Sequence, residues 1–263
     1  MYDFEVARPS TIAEAASALS AEGAQVLGGG HTLIPTLKNR LARPSVLVSV
    51  SRIDEMRGVR VENEKCLCVG GAATHAEVAS SAEESFPALA WLAGNIGDPA
   101  VRNRGTVGGS LANNDPSACY PAAALAVGAT IETNNREIAA DDFFRGMFET
   151  ELKEGEIITK VRFPIPDAGN YQKFEQPASR FALVGVFLAQ FGSEVRIGVT
   201  GASESGVFRW ADAEAALSAD FSTEAANGLP AAPGAMINDL HGSGEYRAHL
   251  MKVLTARAVA AAS

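Results

Sequence analysis

Apolar and polar positions follow two different styles along this chain, changing near Phe163. Up to that point short apolar runs alternate with helical stripes. Tyr2–Val6 reads as a short strand. Pro9-Ser10-Thr11 opens a helix, with Thr11 and Glu14 at capping-box spacing. Ile12, Ala15, Ala16 and Leu19 then recur at i, i+3, i+4 and i+7, one buried stripe, and Gly23 closes the helix. Gln25–Leu27 predicts a buried strand broken by Gly28-Gly29-Gly30. A short helix over Leu33–Asn39 and a strand over Val46–Val50 complete a βαβαβ-like unit.

A second unit begins near Arg57. Val59–Val61 and Cys66–Val69 are strand-like, and Thr74 with Glu77 forms a second capping-box pattern. Helical pattern covers Ala88–Leu92 and Pro121–Val127, the latter closing at Gly128. Between them, Gly97 to Pro116 is dense in turn residues and reads as a long loop. Strands over Ala129–Thr133 and Ile157–Phe163 finish the unit. Pro164-Ile165-Pro166-Asp167-Ala168-Gly169 is the linker candidate.

Beyond it come three sequential strands, Tyr171–Glu175, Ala182–Phe191 and Val195–Thr200, followed by helical patterns at Ala211–Leu217, Ser222–Asn227 and Gly244–Ala261. Strands first and helices after is an α+β signature. The predicted organisation is residues 1–163 in two α/β lobes, about 1–56 and 57–163, and a second domain over 171–263.

Composition narrows the function. Among 263 residues, Lys+Arg number 22 and Asp+Glu 31, a net charge of −9, with 47% hydrophobic residues. That apolar content excludes a disordered chain. The acidic balance and the lack of a basic run exclude a general nucleic-acid binder, whose affinity comes from clustered Lys and Arg. Three cysteines, Cys66, Cys68 and the distant Cys119, make no disulfide framework and are too few for a four-cysteine iron–sulfur cluster. Met1–Glu5 lacks the basic and apolar regions of a secretory signal. The longest apolar stretch, Phe181–Ala189, is far short of a bilayer span. The expectation is a soluble cytoplasmic protein.

Two glycine segments are the candidate chemistry. Gly28-Gly29-Gly30-His31-Thr32 follows a strand and precedes a helix, where bare amides make a nest for phosphate. The same pattern also suits a tight turn with no ligand. It is no Rossmann fingerprint, since Leu33 stands where the third small residue belongs, and no P-loop, since the chain has no Gly-Lys pair. Thr106-Val107-Gly108-Gly109-Ser110 is the second segment, set in a polar stretch too long for a mere connection. Two such loops are able to hold a diphosphate from two sides.

Other chemistries fail on spacing. His31, His75, His241 and His249 form no H-E-x-x-H motif, and Cys66-x-Cys68 has no second thiol pair, so no metal site is expected. Gly201-Ala202-Ser203-Glu204-Ser205 misses the nucleophile elbow at its last glycine and reads as a loop. Asp141-Asp142 and Glu149 to Glu156 read as a solvated rim and helix cap.

At the two glycine segments the chain resembles a known family. Val26-Leu27-Gly28-Gly29-Gly30-His31-Thr32-Leu33-Ile34-Pro35 is similar to the first FAD-binding segment of the flavoprotein (medium) subunits of molybdenum hydroxylases. This is the family of xanthine dehydrogenase and aerobic carbon monoxide dehydrogenase. Gly97-Asp98-Pro99 through Val101-Arg102-Asn103-Arg104-Gly105-Thr106-Val107-Gly108-Gly109 resembles the second. Asp115-Pro116 and Tyr120-Pro121-Ala122-Ala123 extend the match, and Asp239 through Arg247 resembles the start of the last helix of the family's C-terminal domain.

The resemblance implies an α+β fold: a two-lobed α/β FAD-binding domain of the PCMH, or vanillyl-alcohol-oxidase, type, then a C-terminal three-stranded antiparallel sheet with helices. It implies that Leu27, Gly28, Gly29, Gly30, His31, Thr32 and Leu33 wrap the FAD diphosphate, largely through backbone N–H groups. Thr106, Gly108, Gly109 and Ser110 then approach from the other side. Asn113 and Pro116 through Cys119 and Tyr120 line the flavin end, with Leu183 near the isoalloxazine. Arg209 lies where some relatives place a basic residue by the flavin, but a structural ion pair is the favoured reading for it. Cys119 stands where relatives often carry an acidic residue, and Ser110 where they often carry Asn. The implied partners are a molybdenum-cofactor large subunit and a [2Fe–2S] small subunit, in a heterotrimer doubled into a dimer. The implied role is passing electrons from those clusters to a terminal acceptor, with no catalytic acid or base in this chain. A stand-alone flavin oxidoreductase and a redox-inactive nucleotide-binding module are the alternatives.

Overall fold

A computed structural model describes residues 1–230 and 234–262. The first lobe runs β1 (Glu5–Ala7), α1 (Ile12–Leu19), β2 (Ala24–Leu27), α2 (Leu33–Lys38) and β3 (Val46–Ser49). Its three strands are parallel in the order β1-β3-β2, as helical crossovers require. Ala15 and Leu19 of the α1 stripe pack on Val48, Val50 and Ile53. The Thr11 hydroxyl accepts from the Glu14 amide as the spacing predicts, and the Glu14 carboxylate accepts from the Ser10 amide and hydroxyl.

The second lobe holds β4 (Val59–Glu62), β5 (Cys66–Gly70), α3 (His75–Ser81), α4 (Pro87–Gly94), α5 (Pro99–Arg102), α6 (Val107–Asn113) and α7 (Tyr120–Val127). It ends with β6 (Thr130–Thr133), β7 (Glu137–Ala139), α8 (Ala140–Phe143), β8 (Phe144–Gly146), β9 (Glu149–Thr150) and β10 (Ile158–Pro164). Five of its strands form an antiparallel sheet, β4-β5-β10-β6-β7. Thr74 and Glu77 form the reciprocal capping box. The expected loop from Gly97 to Pro116 instead carries two short helices. Asp98 caps α5 by accepting from the Val101 amide, and Thr106 caps α6 by accepting from Gly109. Both are local i to i+3 bonds that a turn-rich composition hides.

The third region is a four-stranded antiparallel sheet of β11 (Ala168–Glu175), β12 (Ala182–Phe191), β13 (Glu194–Ser203) and β14 (Gly206–Arg209). Helices α9 (Ala211–Ala219), α10 (Thr223–Asn227) and α11 (Gly244–Ala262) follow. Strand β14 is an addition to the three strands expected: four residues ending in a charged one carry little pattern of their own. The Pro-rich linker shortens to Ile165–Asp167, because Pro164 pairs with Cys66 and β11 begins at Ala168. Gly201–Ser203, expected in a loop, closes β13, and Glu204-Ser205 makes the turn into β14. Tyr171, Phe187 and Ala189 pack into the same core as α4 and α7, so the third region shares its inner face with the second lobe. No helix of the described residues is long and apolar enough to cross a membrane.

Candidate functional site

A cleft of about 750 Å³ is lined from all three regions. Gly28, Gly29 and Gly30 leave the end of β2, and Gly30 takes φ +78°, the left-handed region that favours glycine. A Cβ added at Gly29 would collide with the Arg104 carbonyl and stand 2.7 Å from the Gly105 Cα. The segment leading into α6 therefore packs backbone to backbone against the first glycine loop. Gly105 is fixed from its other side by His75, whose Nε2 would lie 2.5 Å from a Cβ there. The His75 amide also donates to the Gly105 carbonyl at 3.0 Å.

The two glycine segments are not equivalent. Among the described residues nothing accepts a hydrogen bond from the amides of Gly29, Gly30 or His31. In the second segment the four amides from Val107 to Ser110 are engaged. Val107 donates to Ala73, Gly108 to Gly71, Gly109 to the Thr106 hydroxyl and Ser110 to the Thr106 carbonyl. The first loop thus offers bare donors, and the second offers close approach and the Ser110 side chain. Bare amides in a glycine turn suit an anion such as a diphosphate. Apolar wall residues, Val26, Ile96, Ile157 and Phe181 among them, suit flat rings, so the donor set fits a dinucleotide.

Of the residues singled out in the sequence, Gly28 through Leu33, Thr106, Gly108, Gly109, Ser110, Asn113 and Cys119 line the cleft. Leu27, Pro116, Tyr120 and Leu183 do not. Tyr120 is fully buried in the core behind the wall, and Leu183 belongs to the core between the third region's sheet and its helices. Pro116 sits between wall residues Asp115 and Ser117, its carbonyl turned to the Thr200 hydroxyl at 2.8 Å. Arg209 makes a two-pronged ion pair with Glu214, at 2.8 and 2.7 Å, and lies 3.6 Å from Asp141, a structural role away from the cleft. The wall adds residues that the sequence reading did not assign to the site: His75, Glu156, which it placed in a solvated rim, and Ser179 to Phe181. His75 announces itself only as the residue after a capping threonine. Glu156 lies a long way in sequence from either glycine segment.

Electrostatics in the cleft are muted. Glu156 accepts from Arg136 at 2.8 and 3.1 Å and from the Lys153 amide, which holds its carboxyl below the usual range. The Asp115 carboxylate caps the Ser117 amide. Burial pushes the Cys119 thiol up. His75 is 5% exposed, its ring 5.3 Å from that of Tyr120 and its Nδ1 without a partner among the described residues. Burial, aided by the nearby charges of His31 and Arg102, lowers it from 6.5 to about 4. The imidazole is neutral at pH 7 and no proton donor there. Because the folded value lies below the unfolded one, its contribution is fully present above pH 6.5 and is lost as pH falls towards 4. Urea unfolding from pH 7 to 4 is expected to show a loss of up to roughly 3 kcal/mol that His75→Phe removes. Parallel pH profiles of the two proteins would contradict the assignment.

Residues 2–166 match the family described as the FAD binding domain in molybdopterin dehydrogenase. The carbon monoxide dehydrogenase medium chain of Hydrogenophaga pseudoflava is 33% identical, the match covering 98% of this chain and 96% of that one. The nicotine 6-hydroxylase medium subunit of Paenarthrobacter nicotinovorans is 34% identical, with 96% and 95% covered. A solved structure of reconstituted CO dehydrogenase from Oligotropha carboxidovorans superposes with a TM-score of 0.87 at 29% identity, covering 99% of this chain and 98% of that one.

Proposed function

The chain belongs to the family of FAD-binding domains in molybdopterin dehydrogenases, and from that premise we propose that it is the electron-transfer subunit of a molybdenum hydroxylase complex. It binds FAD and is the medium, flavoprotein subunit of an oxidoreductase. The observation that carries the reading is the cleft in which a loop with bare amides abuts a second glycine segment.

In this reading the amides of Gly29, Gly30 and His31 hold the diphosphate, within the arc from Leu27 to Leu33. Thr106, Gly108, Gly109 and Ser110 close on it from the other side. Asn113 and the segment from Pro116 to Tyr120 form the flavin end, Cys119 at the wall and Pro116 and Tyr120 supporting it. Leu183 supports the same end from the core. Bound there, FAD would supply the electron-carrying chemistry that links [2Fe–2S] clusters of a small partner subunit to a terminal acceptor. The chain's own part is to position the ring, exclude water and set the surrounding charge. No side chain is assigned as acid or base: Glu156 is tied to Arg136, and His75 is neutral with its Nδ1 buried. Relatives named as medium chains and medium subunits support assembly with a large molybdenum subunit and a small [2Fe–2S] subunit. A cytoplasmic heterotrimer, doubled into a dimer, completes the reading.

Reconstitution tests it. The chain loaded with FAD is expected to hydroxylate no substrate alone. Added to the large and small subunits, it should restore electron flow from substrate to acceptor. Substrate turnover by the chain alone, or full acceptor reduction by the other two subunits without it, contradicts the proposal.

A further inference from the structure

Arg247, in the first turn of α11, is 3% exposed. Its Nη1 donates to the carbonyls of Leu183 at 2.7 Å and Gly201 at 2.6 Å, and its Nη2 to Asp239 Oδ1 at 2.7 Å. Neither carbonyl has an ordinary ladder position. Leu183 lies where the β11–β12 register slips, between Ala182 opposite Glu175 and Val184 opposite Phe174. Gly201 lies where the β13–β14 register slips, with φ +78°, and a Cβ there would stand 2.5 Å from the Leu183 carbonyl. Two bulges therefore sit side by side, and one guanidinium satisfies both.

A buried arginine is a costly way to stabilise a core. Bulges, in contrast, bend strands and re-aim what they carry. Here each bulge leads to the cleft. Ser179, Arg180 and Phe181, immediately before β12, line it. The Gly201 amide donates to the Pro116 carbonyl at 2.7 Å, and the Thr200 hydroxyl bonds the Pro116 and Ala118 carbonyls at 2.8 Å. That fixes the wall segment of Asp115, Ser117, Ala118 and Cys119. Asp239 holds the guanidinium in place and is itself braced by the amides of His241 and Gly242.

We propose that Arg247, oriented by Asp239, is a positioning residue that fixes both walls of the flavin end of the cleft through the carbonyls of Leu183 and Gly201. This rests on the FAD reading above. The glycine-loop end shares none of these bonds, so the effect is confined to one end of the ligand.

The full chain carrying Arg247→Ala is compared with wild type in FAD titrations, in ADP titrations that probe the glycine-loop end alone, and by visible circular dichroism of bound flavin. FAD affinity is expected to fall about tenfold or more, as for loss of charged hydrogen bonds, with an altered flavin dichroism. ADP affinity should stay at the wild-type value. Arg247→Lys, which keeps the charge but not the fork, should recover part of the loss. Met251→Ala, a core deletion one turn along the same helix, should lower the melting temperature while keeping wild-type FAD affinity and dichroism. If Arg247→Ala does not fold, Asp239→Asn is read by the same criteria. The proposal is overturned if the Arg247 and Met251 variants behave alike towards FAD, or if ADP and FAD affinity fall together. A wild-type chain that takes up no FAD overturns instead the cofactor reading beneath it.

Discussion

Gly29→Ala is expected to lower FAD affinity at least a hundredfold. The added methyl has no free volume: it meets the Arg104 carbonyl and the Gly105 Cα, both backbone, and neither can swing aside as a side-chain tip can. Overpacking of this kind costs about 3 kcal/mol or more, and the strain is relieved by parting the two segments that form the nest. Each kcal spent moving the first loop also removes its bare amides from their common focus, so binding suffers more than folding. Fluorescence titration with FAD measures the first effect and thermal melting the second. Gly94→Ala is the control, since a Cβ there meets only the Ala79 Cβ, at 3.8 Å. An alanine at Gly29 that binds FAD as wild type does would mean that the two segments do not abut.

The second large effect is expected at Gly198, in the middle of β13. A Cβ there would collide with the Ala122 carbonyl of α7 and lie 2.8 Å from its carbon. Helix α7 lies directly on the third region's sheet at this point. Its last carbonyls, of Leu125 and Ala126, are capped by Arg196 from the same strand. Gly198→Ala must lift a helix whose eight residues are all buried. We expect a loss of about 3 kcal/mol, or a melting temperature lower by about 10 °C. Because α7 follows Cys119 directly, FAD affinity should fall with it, although no residue at the cleft has changed. A melting temperature unaltered by the substitution would show that α7 and β13 are not in backbone contact.

Much of this was legible in the sequence because it is local. The α1 stripe, the Thr74–Glu77 capping box and the αL glycine closing α7 are set by residues three or four apart, and they appear where the pattern puts them. Where local signals were weak, the reading fell short. Polar turn residues in Gly97–Pro116 masked α5 and α6, whose caps are single side-chain bonds. Strand β14 is specified by its neighbour β13 more than by its own four residues.

The site divides along the same line. A run of three glycines after a strand determines by itself that a bare turn stands there, and the succession of motifs identifies the family. Which amides remain free is decided elsewhere. In the second glycine segment the Val107 and Gly108 amides go to Ala73 and Gly71, residues that only the folded sheet brings near. Leu183 and Tyr120 carry the right chemistry for a flavin wall, yet close packing turns both into the core. Glu156 and Phe181 reach the wall from the connections that lead into β10 and β12. Sequence fixes conformational freedom and periodicity because these depend on neighbours in the chain. Tertiary structure alone decides which donors stay unpaired and which faces are buried, because those depend on neighbours in space.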